Sequence, residues 1–229
     1  MSLLPSIARR LFFYTHPYDL TRDTTLILSF VSANPQELYK DLYPTAWKVL
    51  RMSGGNVGTS ASAIYSARLA FGVRQLNNQN FTIPQTHVEI QLGQSTRLST
   101  NAEGFAHWSI PVAQQFGSDK EQKGTLKAIN DTQEQRDICI GTLDTDKSAF
   151  SPMICWPRVN NGATAAVDFL PHLYVYAYSG LKETDLIHGE VENFLGNWDL
   201  SLLQKAPTDN RFHLFEDKGD GQRLRLVKD

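Results

Sequence analysis

Apolar and polar positions alternate along most of the chain, in short runs bounded by turn residues. Residues 25–32 (TLILSFVS), 45–52 (TAWKVLRM), 61–76, 86–92, 95–100, 106–112, 124–130, 136–141, 151–156 and 163–179 show that alternation or a strand-like composition. This is the signal of strands with one buried side. Helix candidates are few: SIARRLFFY near the start, PQELYKDLY at 35–43, and part of 183–205, where Asp199 would cap a short turn. So many strands with regular turns predict an all-β fold, a two-sheet antiparallel β-sandwich with one to three short helices. Residues 1–229 read as a single domain, with an N-terminal aromatic segment at 1–20 and a charged C-terminal tail at 206–229. That tail either ends in a hairpin turned at Asp217 to Gly221 or frays.

Two glycine-rich turns punctuate the pattern. MSGGNVGTSAS, residues 52–62, could present backbone N–H groups to an anion. It lacks the lysine of a P-loop, because Thr59 follows Gly58, and it has no Gly-x-Gly pair. The expectation is a hairpin turn between the Trp47 strand and the strand after it. A second turn echoes the first: GTSASAIYSARLAF from Gly58 and GATAAVDFLPHLYV from Gly162 align without a gap. The match sets Ala61 with Ala165, Tyr65 with Phe169 and Leu69 with Leu173. Ala61, Ala63, Tyr65, Ala67, Leu69 and Phe71 make one apolar side, and Ala165, Val167, Phe169, Pro171, Leu173 and Val175 the other. The echo is either an internal repeat or two similar hairpins.

Composition narrows the class of function. Apolar residues at 41% and charged residues at 20% describe an ordinary globular protein. At 229 residues such a chain buries roughly 70–75% of its extended surface and folds without staples. A net charge of -2, from 22 basic and 24 acidic side chains, gives no general attraction to nucleic acid. No run approaches the roughly 18 apolar residues that span a bilayer, so membrane contact would be at most peripheral. The N-terminus lacks a basic segment followed by a long apolar run, which places the chain in the cytosol. On that basis the sequons at Asn80 and Asn130 are chance matches. The two cysteines fall in strand-like runs on either side of a polar loop. Pairing Cys139 with Cys155 sets Ile138 opposite Trp156 and Ile140 opposite Ile154. They could form a cross-strand disulfide, whereas a reducing cytosol favours two buried thiols.

The best candidate binding surface lies on the second glycine-led strand. His172, Tyr174, Tyr176 and Tyr178 follow at period two, opposite Leu173, Val175 and Ala177. A row of phenols offers flat apolar area with hydroxyl donors, suited to a planar aromatic ligand, a sugar ring or a quaternary ammonium headgroup. The plainer alternative is packing, since tyrosine favours strands. Trp108, next to His107, is a further candidate contact or a core residue. Phe12, Phe13, Tyr14, His16 and Tyr18 are dense enough to form a packed clasp or a segment that closes over a ligand. Metalloprotease, serine-elbow and paired-carboxylate motifs are missing, and the six histidines lack metal-ligand spacing. Asp144 with Asp146, and Asp217 with Asp220, read as turn chemistry. The chain therefore reads as a non-enzyme with no metal.

At residues 49–73 (VLRMSGGNVGTSASAIYSARLAFGV) the sequence resembles the glycine-serine hairpins of fungal fruiting-body proteins with a cytolysin-like β-sandwich, a group that includes the fruiting-body lectins. That resemblance implies two sheets, no catalysis, a homo-oligomer such as a dimer, and aromatic residues that bind sugars or choline headgroups. In size the chain is also similar to the chromoproteins of mushrooms, which implies a small bound aromatic pigment. The resulting expectation is a non-enzymatic protein that holds a small aromatic or amphipathic ligand. A lectin or a membrane-active cytolysin is the alternative.

Overall fold

The computed structural model describes residues 8–32, 38–77, 80–82, 86–114, 124–144 and 149–229. Among them the fold is all-β. In chain order the first strands are β1 (Ala8–Tyr14), β2 (Thr24–Phe30), β3 (Tyr43–Pro44), β4 (Lys48–Met52), β5 (Ser60–Ser66) and β6 (Leu69–Asn77). There follow β7 (Asn80–Thr82), β8 (His87–Ile90), β9 (Gln94–Thr100), β10 (Ala106–Trp108) and β11 (Val112–Ala113). Next come β12 (Thr125–Asp131), β13 (Arg136–Leu143), β14 (Phe150–Val159), β15 (Thr164–Asp168) and β16 (His172–Ala177). The last three are β17 (Phe194–Asp199), β18 (Asp209–Asp217) and β19 (Arg223–Lys228).

The sandwich-like arrangement is built from four hydrogen-bonded ladders rather than two. Their strand orders are β19-β18-β1-β5, β17-β16-β2-β4, β10-β9-β12-β15 and β3-β14-β13-β6, the last joined by β7 and β8 on β6. All pairings are antiparallel except β1 with β18 and β9 with β12. Exchanging β1, β2, β4, β5, β6, β8, β9 and β10 for β12 to β19, in that order, turns the first ladder into the third. The same exchange turns the second ladder into the fourth, and the two parallel pairs exchange with each other. The chain is therefore an internal repeat of eight strands, with β3, β7 and β11 outside the correspondence. Each ladder takes strands from both halves.

This interleaving corrects the hairpin expectation at the glycine turns. β4 pairs with β2, whereas β5 pairs with β1, so the loop at 53–59 carries the chain from one ladder to another. Both N–H groups of its glycine pair are already used: Gly54 donates to Asp23 Oδ1 at 3.0 Å and Gly55 to the Leu20 carbonyl at 2.8 Å. A Cβ at Gly54 would lie 2.5 Å from the Arg22 backbone, and Gly55 has φ +99°, a conformation that suits glycine. The loop is thus a close-packed crossing, not an anion cradle. Both long alternating runs also break midway. Residues 61–76 divide at Ala67 and Arg68, leaving Ala67 exposed, and 163–179 divide before Pro171, which has no N–H for a ladder. The remaining apolar positions of both runs point inward as the alternation indicates.

The N-terminal helix expectation also gives way, since SIARRLFFY supplies β1, which buries Leu11 and Phe13. Residues 38–43 form no helix, and 35–37 lie outside the described residues. In the 183–205 region one 3-10 turn, Leu200–Leu202, is capped by the Asp199 side chain. The C-terminal tail forms the β18–β19 hairpin. One core cluster runs from Leu11 to Leu226 and gathers residues from both halves. Near its centre Phe30 meets Tyr65 at 5.7 Å and Phe169 at 6.2 Å, two residues matched by the repeat. Cys139 and Cys155 face each other in the expected register, with Ile138 opposite Trp156 and Ile140 opposite Ile154. Their sulfurs are bonded, so the pair is a disulfide and not two thiols.

Candidate functional site

β16 orients its side chains as the alternation requires: Leu173, Val175 and Ala177 are buried, and the tyrosines lie on the opposite side. That opposite side is not an open row. Phe194 of β17 stands against Tyr174 at 6.0 Å and Tyr176 at 5.7 Å. Tyr176 also packs into a small cluster with Ile27, Ala46 and Ile187. Burial pushes its phenol pKa well up, and neighbouring Tyr39, Tyr174 and Glu190 add to the rise. The packing explanation therefore holds for Tyr176. At the start of the strand, His172 Nε2 sits 3.7 Å from Asp199 Oδ2, apart from the exposed end. Trp108 stacks on Phe71 at 6.1 Å and donates Nε1–H to the Thr86 carbonyl at 3.4 Å, which makes it part of the core wall.

Tyr178 differs from its neighbours because the strand ends before it. It is 41% exposed, and Phe194 is 48% exposed. Both border a cleft of about 760 Å³ where β17 and β19, the outer strands of two ladders, meet. Arg22, Arg223, Asp23 and Glu192 supply its charge. Asp23 is already engaged by the Gly54 N–H. The cleft thus combines two aromatic rings with two guanidinium groups, an arrangement that can take a planar apolar body with a polar or anionic end.

A second constellation escaped sequence reasoning. Parallel pairing of β1 with β18 sets Tyr14 beside His213, and their rings stack at 5.0 Å. His213 Nε2 lies 2.6 Å from Asp19 Oδ2, and the His16 backbone N–H donates to the same carboxylate. Burial alone would raise the Asp19 pKa; the bonds from His213 and His16 outweigh it, and the net shift is downward. Arg211 lies over Phe12 at 5.1 Å and over Tyr14 at 4.9 Å. Among the described residues the polar partner of the His213 ring is Asp19. The only advance sign was the aromatic density at residues 12–18. Its partner stood almost 200 positions away.

Two of the remaining candidates take part in structural contacts. Asp217 and Asp220 pair with Arg225 at 3.6 and 3.0 Å. Asp144 is exposed, and Asp146 lies outside the described residues. Asn130 is fully buried, donating its amide to the carbonyls of Glu134 and Val159 at 2.7 Å each, so this sequon is a structural bracket. Among the described residues no cluster could hold a metal ion, and no helix is long and apolar enough to cross a membrane. Comparison of this chain with protein families, curated proteins and solved structures gave no match.

Proposed function

We propose that this chain is a non-enzymatic binding protein that holds a small, planar, amphipathic ligand in the cleft beside Tyr178 and Phe194. The observation that carries this reading is the pair of half-exposed rings at the meeting of two ladder edges, with Arg22 and Arg223 alongside. A ligand that covers both rings removes apolar area from water at roughly 25 cal/mol per Å². The guanidinium groups would orient its polar end. A bound aromatic pigment is one ligand of this class. It would give the purified protein a visible absorbance that disappears on unfolding.

The test uses 1-anilinonaphthalene-8-sulfonate, a planar fluorophore with one anionic group. Wild-type protein should bind it saturably. Replacing both Tyr178 and Phe194 by alanine should weaken binding by about tenfold or more, given roughly 0.5–1.5 kcal/mol for each aromatic contact beyond its area. Tyr176→Phe should leave affinity unchanged, because that phenol is covered. Equal affinity in the double variant would reject the cleft. Leakage of choline-lipid vesicles without dye binding would instead favour a cytolysin.

A further inference from the structure

We propose that a groove between β4 and β5 is a second and separate binding site, built for a neutral, hydroxyl-rich ligand about the size of one sugar ring. The groove has a volume of about 440 Å³ and is lined from both halves of the repeat. β4 and β5 each end a ladder, so among the described residues neither has a further strand on its outer edge.

The repeat provides an internal control for the groove's chemistry. Leu69 of β6 pairs with Thr142, and its counterpart Leu173 of β16 pairs with Phe30; Thr142 and Phe30 are therefore equivalent. One step along, Leu28 and Ile140 are equivalent, and they pair with Lys48 and Ile154. On β5 and β15, Ala63 pairs with Leu11 as Val167 pairs with Leu126. That register matches Ser62 with Ala166. Three groove residues, Lys48, Ser62 and Thr142, thus stand where the other half has Ile154, Ala166 and Phe30. The fold accepts apolar side chains at all three places. Polarity there is a property of the groove and not of the architecture.

The groups present favour hydroxyls over ions. Lys48 Nζ lies 3.7 Å from Glu183 Oε2, so its charge is answered, and Asp144 adds a further carboxylate at the groove. The excess negative charge opposes phosphate or carboxylate ligands. A polyol can donate to the carboxylates and accept from the serines, Thr142 and Lys48 at once. Thr142 lines the groove and is 3% exposed. The Nε1–H of Trp47, another lining residue, is buried with no partner among the described residues. An unpaired buried donor costs free energy that an acceptor reaching it recovers. Ile64, 53% exposed, offers an apolar surface for the C–H side of a ring.

Saturation-transfer NMR on the whole protein with glucose, galactose, mannose, fucose and N-acetylglucosamine tests the proposal, with inorganic phosphate as the anionic control. At least one sugar should bind and phosphate should not compete. Ser62→Ala and the isosteric Thr142→Val should each weaken that sugar by roughly three- to tenfold, the cost of one neutral hydrogen bond. Far-UV circular dichroism establishes that both variants are folded. Removing both Tyr178 and Phe194 should leave sugar binding intact, which separates this site from the aromatic cleft. Binding of none of the five sugars, equal affinity in the groove variants, or competition by phosphate would overturn it.

Discussion

Asp19 joins the two ends of the chain through a single carboxylate. Its bonds from His213 and the His16 N–H exist in the folded protein only, and they hold its pKa below the ordinary value despite partial burial. A carboxyl with a depressed folded pKa contributes stability that is fully present above its unfolded value of about 3.9. That contribution is lost as pH falls through the folded pKa. Asp19→Asn should therefore lower the urea midpoint near pH 7, and the gap from wild type should close below about pH 4. A gap of the same size at about pH 3 would show that the carboxylate's charge is not what holds the junction. Nothing at residues 12–19 could disclose His213 as the partner, because only the parallel β1–β18 pairing brings them together.

At the scale of the element, the β13–β14 hairpin is the part of the fold most legible in the sequence. Two short alternating runs with one cysteine each admit a register that sets the cysteines on one side and four apolar residues on the other; the structure adopts it and buries both sides, where one was expected. The bond closes a loop with a separation of 16 residues, which in the chain-entropy picture is worth roughly 3 kcal/mol. Replacing Cys139 and Cys155 together by alanine should lower Tm by about 6–12 °C for a chain of this size. The unfolded, unreduced protein should titrate no free thiol. Two titratable thiols, or a Tm unmoved by the double replacement, would remove the bond from the account of stability. The glycine turns were less legible, since local alternation reports which side of a strand is buried but not which strand lies beside it. β5 and β6 read as one run because Ala67 and Arg68 keep the alternation through the corner. β1 read as helix because Ala8, Arg9 and Arg10 favour helices, while the buried positions Leu11 and Phe13 keep the two-residue period of a strand. Within the candidate site, the period of the tyrosines was visible; the Phe194 ring that covers Tyr174 and Tyr176 was not.

At the scale of the whole molecule, the repeat has a consequence for how the chain comes apart. Two tandem sandwiches would each keep their own ladders and could unfold separately. Here every ladder is shared: β1 and β5 lie beside β18 and β19, and β13 and β14 lie beside β6 and β8. Neither half can keep any of its four ladders complete without the other. Phe30, from the first half, contacts Phe169 from the second, and the main core cluster is common to both. Unfolding should therefore be one cooperative transition, with tryptophan fluorescence and far-UV circular dichroism changing together in urea. A protease site introduced between Gln114 and Gly124 makes the test stricter, because it cuts the only covalent link between the halves. The nicked protein should keep the hydrodynamic size of the intact chain and separate into two fragments only in denaturant. Its urea midpoint should then rise with protein concentration, since unfolding releases two chains. Fragments that separate in native buffer, or a midpoint independent of concentration, would mean that each half holds its own core.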